Sequence, residues 1–256
     1  MARLQAALLA FSLLSAPHVA LAQSTSGRTA AAEQDAERAA KALSLAQLIE
    51  SRDLLLDAEL LEAQFVSGML ATPDGKSMED EFPGIVQAIW RSAAAELRSQ
   101  TEASLPSYWE RLAAIYSANL SVEEIDAASK FFGSDVGRKV IKLKGQTMIR
   151  QLVTLAAQSE TGAITGEAFS TSNREASESV VTALSQNEQL TLAAFGLSAA
   201  GVKLQSLGPH IQKVAVEWMN ESTPEEDAKI EALMLAAIEA HIEASQSGEA
   251  PRAEPK

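Results

Sequence analysis

Apolar residues recur at intervals of three and four along this chain, and that spacing limits its fold more than any other feature of the sequence. The clearest example runs from residue 43 to residue 70, where the apolar positions are Leu45, Leu48, Ile49, Leu55, Leu56, Leu60, Phe65, Val66 and Met69. Aromatic residues make up 5% of the chain and alanine occurs 47 times, so a core has to be built from small and aliphatic side chains. Both features predict an all-α fold, a helical bundle.

Turn and capping residues divide the chain into predicted helices. These helices cover residues 43–70, 77–100, 107–119 and 224–244, with a turn at 72–75. Helix starts are expected at Ser121, Ser185 and Thr223, because a hydroxyl three residues before a glutamate lets both side chains bond to free backbone amides. The short connections favour antiparallel neighbours in the bundle.

The first 22 residues have the three-part pattern of a secretory signal peptide. A start that carries Arg3 is followed by an apolar run from Leu4 to Leu14, and residues 19–22 form a small-x-small cleavage site. The alternative, a retained membrane anchor, needs about 20 apolar residues, which this run does not reach. We therefore expect cleavage after Ala22, export of the chain, and no membrane span in the part that remains.

Composition divides the rest of the chain into three parts. Residues 23–42 are polar and alanine-rich, and we expect either a flexible tether or a marginal, solvated helix. Residues 43–244 form the predicted helical domain. Residues 245–256 contain glycine, two prolines and several charges, so we predict a disordered tail.

Charge and cysteine content exclude several classes of function. The formal net charge is −13, which argues against nucleic acid as a partner because phosphate binding requires a clustered cationic surface. The chain has no cysteine, which excludes thiol catalysis, disulfides, and zinc–thiolate or iron–sulfur sites. Stability is therefore expected to depend on helix packing alone.

Two segments of the chain resemble each other at an offset of 64 residues. Residues 120–140 and 184–204 are identical at seven positions: Leu120/Leu184, Ser121/Ser185, Glu124/Glu188, Phe131/Phe195, Ser134/Ser198, Gly137/Gly201 and Lys139/Lys203. None of these residues is alanine, so the alanine-rich composition does not produce the match.

Each of these segments is predicted to form a helix, a corner and a second helix. Ser134 and Ser198 would be the N-caps of the second helices. Gly137 and Gly201, in the first turns of those helices, would let another backbone approach closely. The simplest arrangement is two pseudo-repeated helix-corner-helix units packed together.

The first segment also resembles a known family. Leu120-Ser-Val-Glu-Glu-Ile and Lys130-Phe-Phe-Gly-Ser-Asp-Val-Gly-Arg-Lys139 are similar to the core motif of the domain-of-unknown-function 2059 family of exported bacterial proteins. That motif has Thr/Ser-x-Glu-Glu at a helix start and then Phe-Tyr-x-Ser-Pro-x-Gly-x-Lys, so this chain differs at Phe132 and Asp135. The resemblance covers about residues 108–144. It implies a helical fold in the bacterial periplasm, with no established activity and no catalytic residues.

Residues with catalytic or metal-binding chemistry are few and scattered. His210 and His241 lack the spacing of a metal site, and the sequence contains neither a serine-nucleophile motif nor a glycine-rich phosphate-binding motif. Trp90, Trp109 and Trp218 could line a ligand pocket, although aromatic residues at helical spacing usually belong to the core. The sequence therefore indicates no catalytic residue, no metal site and no cofactor.

Positive charge concentrates in one predicted helix of this acidic chain. Its members are Arg138, Lys139, Lys142 and Lys144, followed by Arg150. Two interpretations stay open: a docking site for an acidic envelope protein or an anionic polymer, or a solvated face that balances the acidic remainder.

Taken together, these features favour an exported, non-catalytic binding or interaction module of the bacterial periplasm. Two other classes stay open. A hydrolase or lyase that uses carboxylates alone would need a deep pocket with two acidic residues of raised pKa. A periplasmic chaperone would need an exposed apolar groove. The sequence does not indicate an oligomeric state.

Overall fold

The computed structural model describes residues 25–158 and 163–247. Within these ranges the chain forms helices and no strand, which confirms the all-α fold. In chain order the helices are α1 (Thr25–Ile49), α2 (Arg52–Leu55), α3 (Ala58–Leu70), α4 (Pro73–Glu81), α5 (Ile85–Asn119), α6 (Val122–Phe132), α7 (Asp135–Gln158), α8 (Gly166–Ala183), α9 (Gln186–Gly196), α10 (Ala199–Ser206), α11 (Gly208–Met219) and α12 (Pro224–Ser247). Across the same ranges, none of the helices combines the length and the apolar content that crossing a bilayer requires.

Both ends of the described chain are helical. α1 begins at Thr25, inside the segment for which the sequence left a tether or a solvated helix open, and the side chains of residues 32–37 are exposed. α12 continues to Ser247, beyond the end predicted at Ala244. The predicted signal peptide (1–22) and residues 248–256 of the predicted tail lie outside the described residues.

α5 is the longest helix and contributes to both parts of the core. Its buried residues are Ile85, Val86, Ile89, Trp90, Ala93, Leu105, Tyr108, Leu112, Ala113 and Tyr116. It packs against α1, α3, α11 and α12. The other helices are therefore arranged around this one element.

The helix break predicted between residues 100 and 107 is wrong, because α5 continues through Pro106. A proline inside a helix costs about 3 kcal/mol. Leu105 and Leu112 are buried in the turns beside it, and burial of a large aliphatic side chain contributes about 1.5–3 kcal/mol. Packing on both sides of the proline therefore outweighs the local preference for a break.

The predicted turn at residues 72–75 is the first turn of α4. The Thr72 hydroxyl accepts a hydrogen bond from the Gly75 N–H (3.0 Å), and Pro73 occupies the first helical position. The helix predicted to begin at residue 77 therefore begins earlier. The chain turns at Gly84 instead, between α4 and α5, where a φ of 89° favours glycine.

The helix predicted over residues 43–70 is interrupted twice. α1 ends at Ile49, α2 is a single turn, and α3 begins after Asp57. The Asp57 carboxylate accepts a hydrogen bond from the Leu60 N–H (3.0 Å), which caps α3. At the first break the Trp109 indole N–H donates to the Glu50 carbonyl (2.9 Å), which gives a partner to a backbone group at the helix end.

The buried apolar residues form two clusters. The larger cluster joins α1, α5 and α6 with parts of α10 and α11, and Leu45, Leu112 and Tyr116 lie at its centre. In the smaller cluster Ile85, Val86 and Ile89 of α5 pack against side chains from α3, α4 and α12. The first half of α5 therefore belongs to one cluster and the second half to the other.

Candidate functional site

The two similar segments form helix pairs, α6 with α7 and α9 with α10. At the start of α6 the Ser121 hydroxyl accepts a hydrogen bond from the Glu124 N–H (3.3 Å), and the Glu124 carboxylate accepts one from the Ser121 N–H (2.8 Å). At the start of α9 the Glu188 carboxylate accepts hydrogen bonds from both the N–H and the hydroxyl of Ser185 (2.8 Å each). Both helix starts therefore coincide with a serine and a glutamate three residues apart.

The corners of the two helix pairs have the same hydrogen bonds. The Ser134 hydroxyl accepts from the Gly137 N–H (3.1 Å) and donates to the Phe131 carbonyl (2.6 Å). Ser198, 64 residues later, makes the equivalent two bonds at the same distances. A Cβ on Gly137 or Gly201 would lie 2.0 Å from the carbonyl oxygen of a phenylalanine, so neither position has room for a side chain.

The two helix pairs contact each other through a ring stack and two ion pairs. The rings of Phe131 and Phe195 have centroids 4.0 Å apart and an interplanar angle of 2°. Each ion pair joins a lysine of one helix pair to the capping glutamate of the other: Lys139–Glu188 (2.8 Å) and Lys203–Glu124 (2.7 Å). Lys139 and Lys203 are equivalent at the offset of 64, and so are Glu188 and Glu124. Each helix pair therefore contributes one lysine and one glutamate to the contact.

Glu188 is expected to titrate at an unusually low pH. The Lys139 ammonium group and the hydrogen bonds from Ser185 stabilise its charged form and lower its pKa to about 2. Because the folded-state pKa lies below the ordinary value of 4.5, the stability that Glu188 contributes is present above pH 4.5 and is lost as the pH falls toward 2. In an NMR titration we expect Lys139→Met to raise the pKa of this carboxyl group and Lys142→Met to leave it unchanged. The same titration curve in all three proteins would contradict the ion pair.

The structure places the predicted docking residues of α7 in different environments. Arg138 pairs with Asp135 (2.6 Å), and Lys139 is held by a glutamate of the second segment. The side chain of Lys142 is exposed. Lys144 is half-buried and lines a cavity. For all four residues, docking stays a prediction.

The cavity that Lys144 lines has a volume of about 690 Å³ and is bounded by residues of α1, α2 and α5–α11. Its walls are mostly aliphatic and aromatic; from α7 they include Val140, Ile141, Met148 and Ile149. Cavities of about 300–1,000 Å³ with apolar walls and a few polar groups are typical of small-molecule binding sites. This cavity is the candidate functional site.

Two charged side chains line the cavity, Glu50 just after α1 and Lys144 on α7. Burial raises the pKa of Glu50, and the charge of Lys144 opposes this shift. Burial lowers the pKa of Lys144, and the charge of Glu50 opposes that shift. Among the described residues, neither side chain has a hydrogen-bond or salt-bridge partner. Two opposite charges therefore face a mostly apolar cavity without a direct contact.

Two tyrosines of α5, Tyr108 and Tyr116, lie beside these charges and also line the cavity. Burial raises the pKa of both phenols, and the charge of Glu50 raises it further, so both hydroxyls keep their protons at neutral pH. The Tyr108 ring stacks on the indole of Trp218, with centroids 4.4 Å apart. This stack fixes the direction of the Tyr108 hydroxyl.

Sequence reasoning missed this site, although one signal for it was present. Ile141, Lys144, Met148 and Leu152 follow one another at steps of three and four, so Lys144 interrupts an apolar stripe of α7. A lysine in such a position faces the packed side of its helix. Glu50 had no comparable signal, because the sequence placed it inside an unbroken helix.

The other candidate residues lie partly at the cavity and partly elsewhere in the fold. Across residues 25–158 and 163–247, no three histidine, aspartate or glutamate side chains form a group that could hold a metal ion. The Nε2 atom of His241 lies 3.2 Å from the Pro83 carbonyl oxygen. Of the tryptophans, Trp218 lines the cavity, whereas Trp90 packs against Phe65 with ring centroids 5.3 Å apart.

Fold and site together define an all-helical protein with a mostly apolar cavity that contains two opposite charges. Residues 110–164 match the model of a family described as "Uncharacterized protein conserved in bacteria (DUF2059)", which confirms the resemblance identified from the sequence. The matched residues include all of α6 and α7, and with them Lys144, but not the second segment at 184–204. No curated protein and no solved structure matches the chain.

Proposed function

We propose that this protein is a non-catalytic binding module of the bacterial periplasm, and that its cavity holds a small, mainly apolar molecule. The observation that carries the proposal is the cavity of about 690 Å³, whose wall is largely aliphatic and aromatic. When an apolar ligand displaces water from such a cavity, the burial of apolar surface favours binding by about 25 cal/mol per Å² of apolar area removed from water.

The proposed location depends on the first residues of the chain and on the family. Residues 1–22 have the pattern of a signal peptide, and residues 110–164 match a bacterial family. A chain without cysteine that is held together by helix packing is compatible with an oxidising compartment.

A carboxylate-dependent hydrolase or lyase has less support than a binding module. Such an enzyme needs one carboxyl group as acid and another as base or nucleophile in the same pocket. Among the described residues that line the cavity, Glu50 is the single carboxylate. The other charged residue that lines the cavity is Lys144, which can bind an anionic group but cannot serve as the second carboxyl group.

A chaperone role has one observation in its favour. Four of the exposed large apolar side chains lie within residues 181–202: Val181, Leu190, Leu197 and Val202. An apolar surface of this kind can bind unfolded chains. Side chains from nine helices converge on the cavity, and Val181 is itself part of its wall, so small-molecule binding stays the first proposal.

We expect the purified protein to bind the apolar dye Nile red in a saturable manner, with one dye molecule per chain. Ile149→Trp should weaken this binding by about tenfold or more, because the larger ring fills part of the cavity that Ile149 lines. The measurement is a fluorescence titration of the dye with each protein.

Leu235→Trp is the matched control, because Leu235 is 37% exposed on α12 and does not line the cavity. It should bind the dye as the unmodified protein does. Circular dichroism shows whether each variant is folded, and Leu152→Phe provides a second way to fill the cavity if Ile149→Trp is not. Equal dye binding in the unmodified protein and in a folded cavity-filling variant would rule out the cavity as the binding site.

A further inference from the structure

We propose that the ligand of the cavity is a single-chain amphiphile with a carboxylate head group, and that this head group binds to Lys144 and to the hydroxyls of Tyr108 and Tyr116. The inference depends on the proposed function, since it names the class of molecule that the binding module would hold. It is carried by the donors and charges that the fold brings together at one part of the cavity wall.

These groups come from three different helices or helix ends and line one cavity. Tyr108 and Tyr116 are eight residues apart on α5, about two helical turns, so they lie on the same face of that helix. Lys144 comes from α7 and Glu50 from the end of α1. All four residues line the same cavity, and the charge of Glu50 acts on the pKa of the lysine and of both tyrosines.

In the part of the chain that the structure describes, none of these four side chains has a hydrogen-bond partner within the protein. Among the described residues, the fully buried side-chain polar atoms without a partner are on Arg38, Arg111 and Gln151, so the polar atoms of these four residues are accessible from the cavity. They are therefore available to water or to a polar group of a ligand.

The donors at this site indicate the sign of the polar group that fits it. Lys144 and the two tyrosines offer N–H and O–H donors, and Glu50 is the one carboxyl group among them. Donors thus outnumber acceptors, and an anion with two acceptor oxygens fits this set better than an ammonium group does.

The remaining wall of the cavity indicates the chemistry of the rest of the ligand. Lys144 and Glu50 are the charged residues among the described ones that line the cavity, so no second charged group of a ligand would find a partner elsewhere in it. The remaining lining is mostly aliphatic and aromatic, which suits an alkyl chain. A long-chain fatty acid has both parts.

The test compares three probes of equal chain length: palmitate, methyl palmitate and hexadecylamine. Each is titrated against protein loaded with Nile red, and displacement of the dye gives the affinity. The unmodified protein should bind palmitate about tenfold or more tightly than the ester or the amine. Lys144→Met should remove this preference and leave binding of the ester unchanged.

Two variants serve as comparisons. Lys142→Met removes an exposed lysine from the same helix and should leave all three affinities unchanged. Glu50→Gln places an amide donor at that position and should retain tight binding of palmitate, which keeps the inference testable if Lys144→Met does not fold.

Each contrary result has a separate meaning. Equal affinity for palmitate and its ester, with no effect of Lys144→Met, would overturn the carboxylate head group and leave the proposed function intact. A preference for hexadecylamine that Glu50→Gln abolishes would overturn it in favour of a cationic ligand. If Nile red itself does not bind to the cavity, the proposed function fails.

Discussion

Replacing Gly137 by alanine is expected to lower the free energy of unfolding by about 1–3 kcal/mol, and replacing Gly201 by alanine is expected to do the same. A methyl group at either position would lie 2.0 Å from a backbone carbonyl oxygen, that of Phe131 or Phe195. Since the obstacle is backbone and not a flexible side chain, the corner between the two helices has to open. Thermal denaturation measures the effect, and in a protein of this size 1 kcal/mol corresponds to roughly 2–4 °C in Tm.

Gly208→Ala is the matched control for both variants. A Cβ at Gly208 would have no atom within 4 Å, although this glycine also lies in the first turn of a helix. We expect unchanged stability, or a gain of about 0.4–1 kcal/mol from the smaller entropy of the unfolded chain. If Gly137→Ala and Gly208→Ala melted at the same temperature, the close approach at the corner would be refuted.

The double variant Glu50→Gln with Lys144→Met is expected to unfold less readily than the unmodified protein, by about 1–4 kcal/mol. Both charges are held in a mostly apolar cavity, where burial disfavours their charged forms, and they do not form a direct salt bridge. Neutral side chains of similar size remove this cost and keep the packing. Urea denaturation at neutral pH measures the difference, with Lys142→Met as a control that should change little.

The same double variant should also lose part of the pH dependence of stability. For Glu50 the pKa is raised, so stability present below its ordinary pKa of 4.5 is lost as the pH rises through the folded-state value. For Lys144 the pKa is lowered, so stability present above 10.5 is lost as the pH falls through the folded-state value. Both losses of stability therefore occur at pH values between 4.5 and 10.5. If the double variant were less stable than the unmodified protein in this pH range, the claim that the two charges are unpaired and destabilising would be contradicted.

Features that depend on neighbouring residues were accessible from the sequence. The serine and glutamate pair at Ser121 coincides with the start of α6, and Ser198 caps α10. Gly201 lies where the backbone of the preceding helix comes close. Each of these features involves groups within six residues along the chain, so the spacing of residue types is sufficient to indicate it.

Features that depend on distant residues were not accessible in this way. The helix continues through Pro106 because side chains on either side of it are buried against other helices, which local rules do not include. The break after Ile49 leaves the Glu50 carbonyl to accept a hydrogen bond from Trp109, 59 residues further along the chain. The cavity needs residues of nine helices, so no single segment contains its signal.

The shared helix α5 has a consequence for how the molecule can move. Ile85, Val86 and Ile89 belong to one cluster and the buried residues from Leu105 onward belong to the other, and the eleven residues from 94 to 104 include none that is buried. Pro106, just beyond this interval, lacks an amide proton, so the helical ladder is weakest near the place where packing is also weakest. We therefore expect α5 to bend more readily between the two clusters than within either of them.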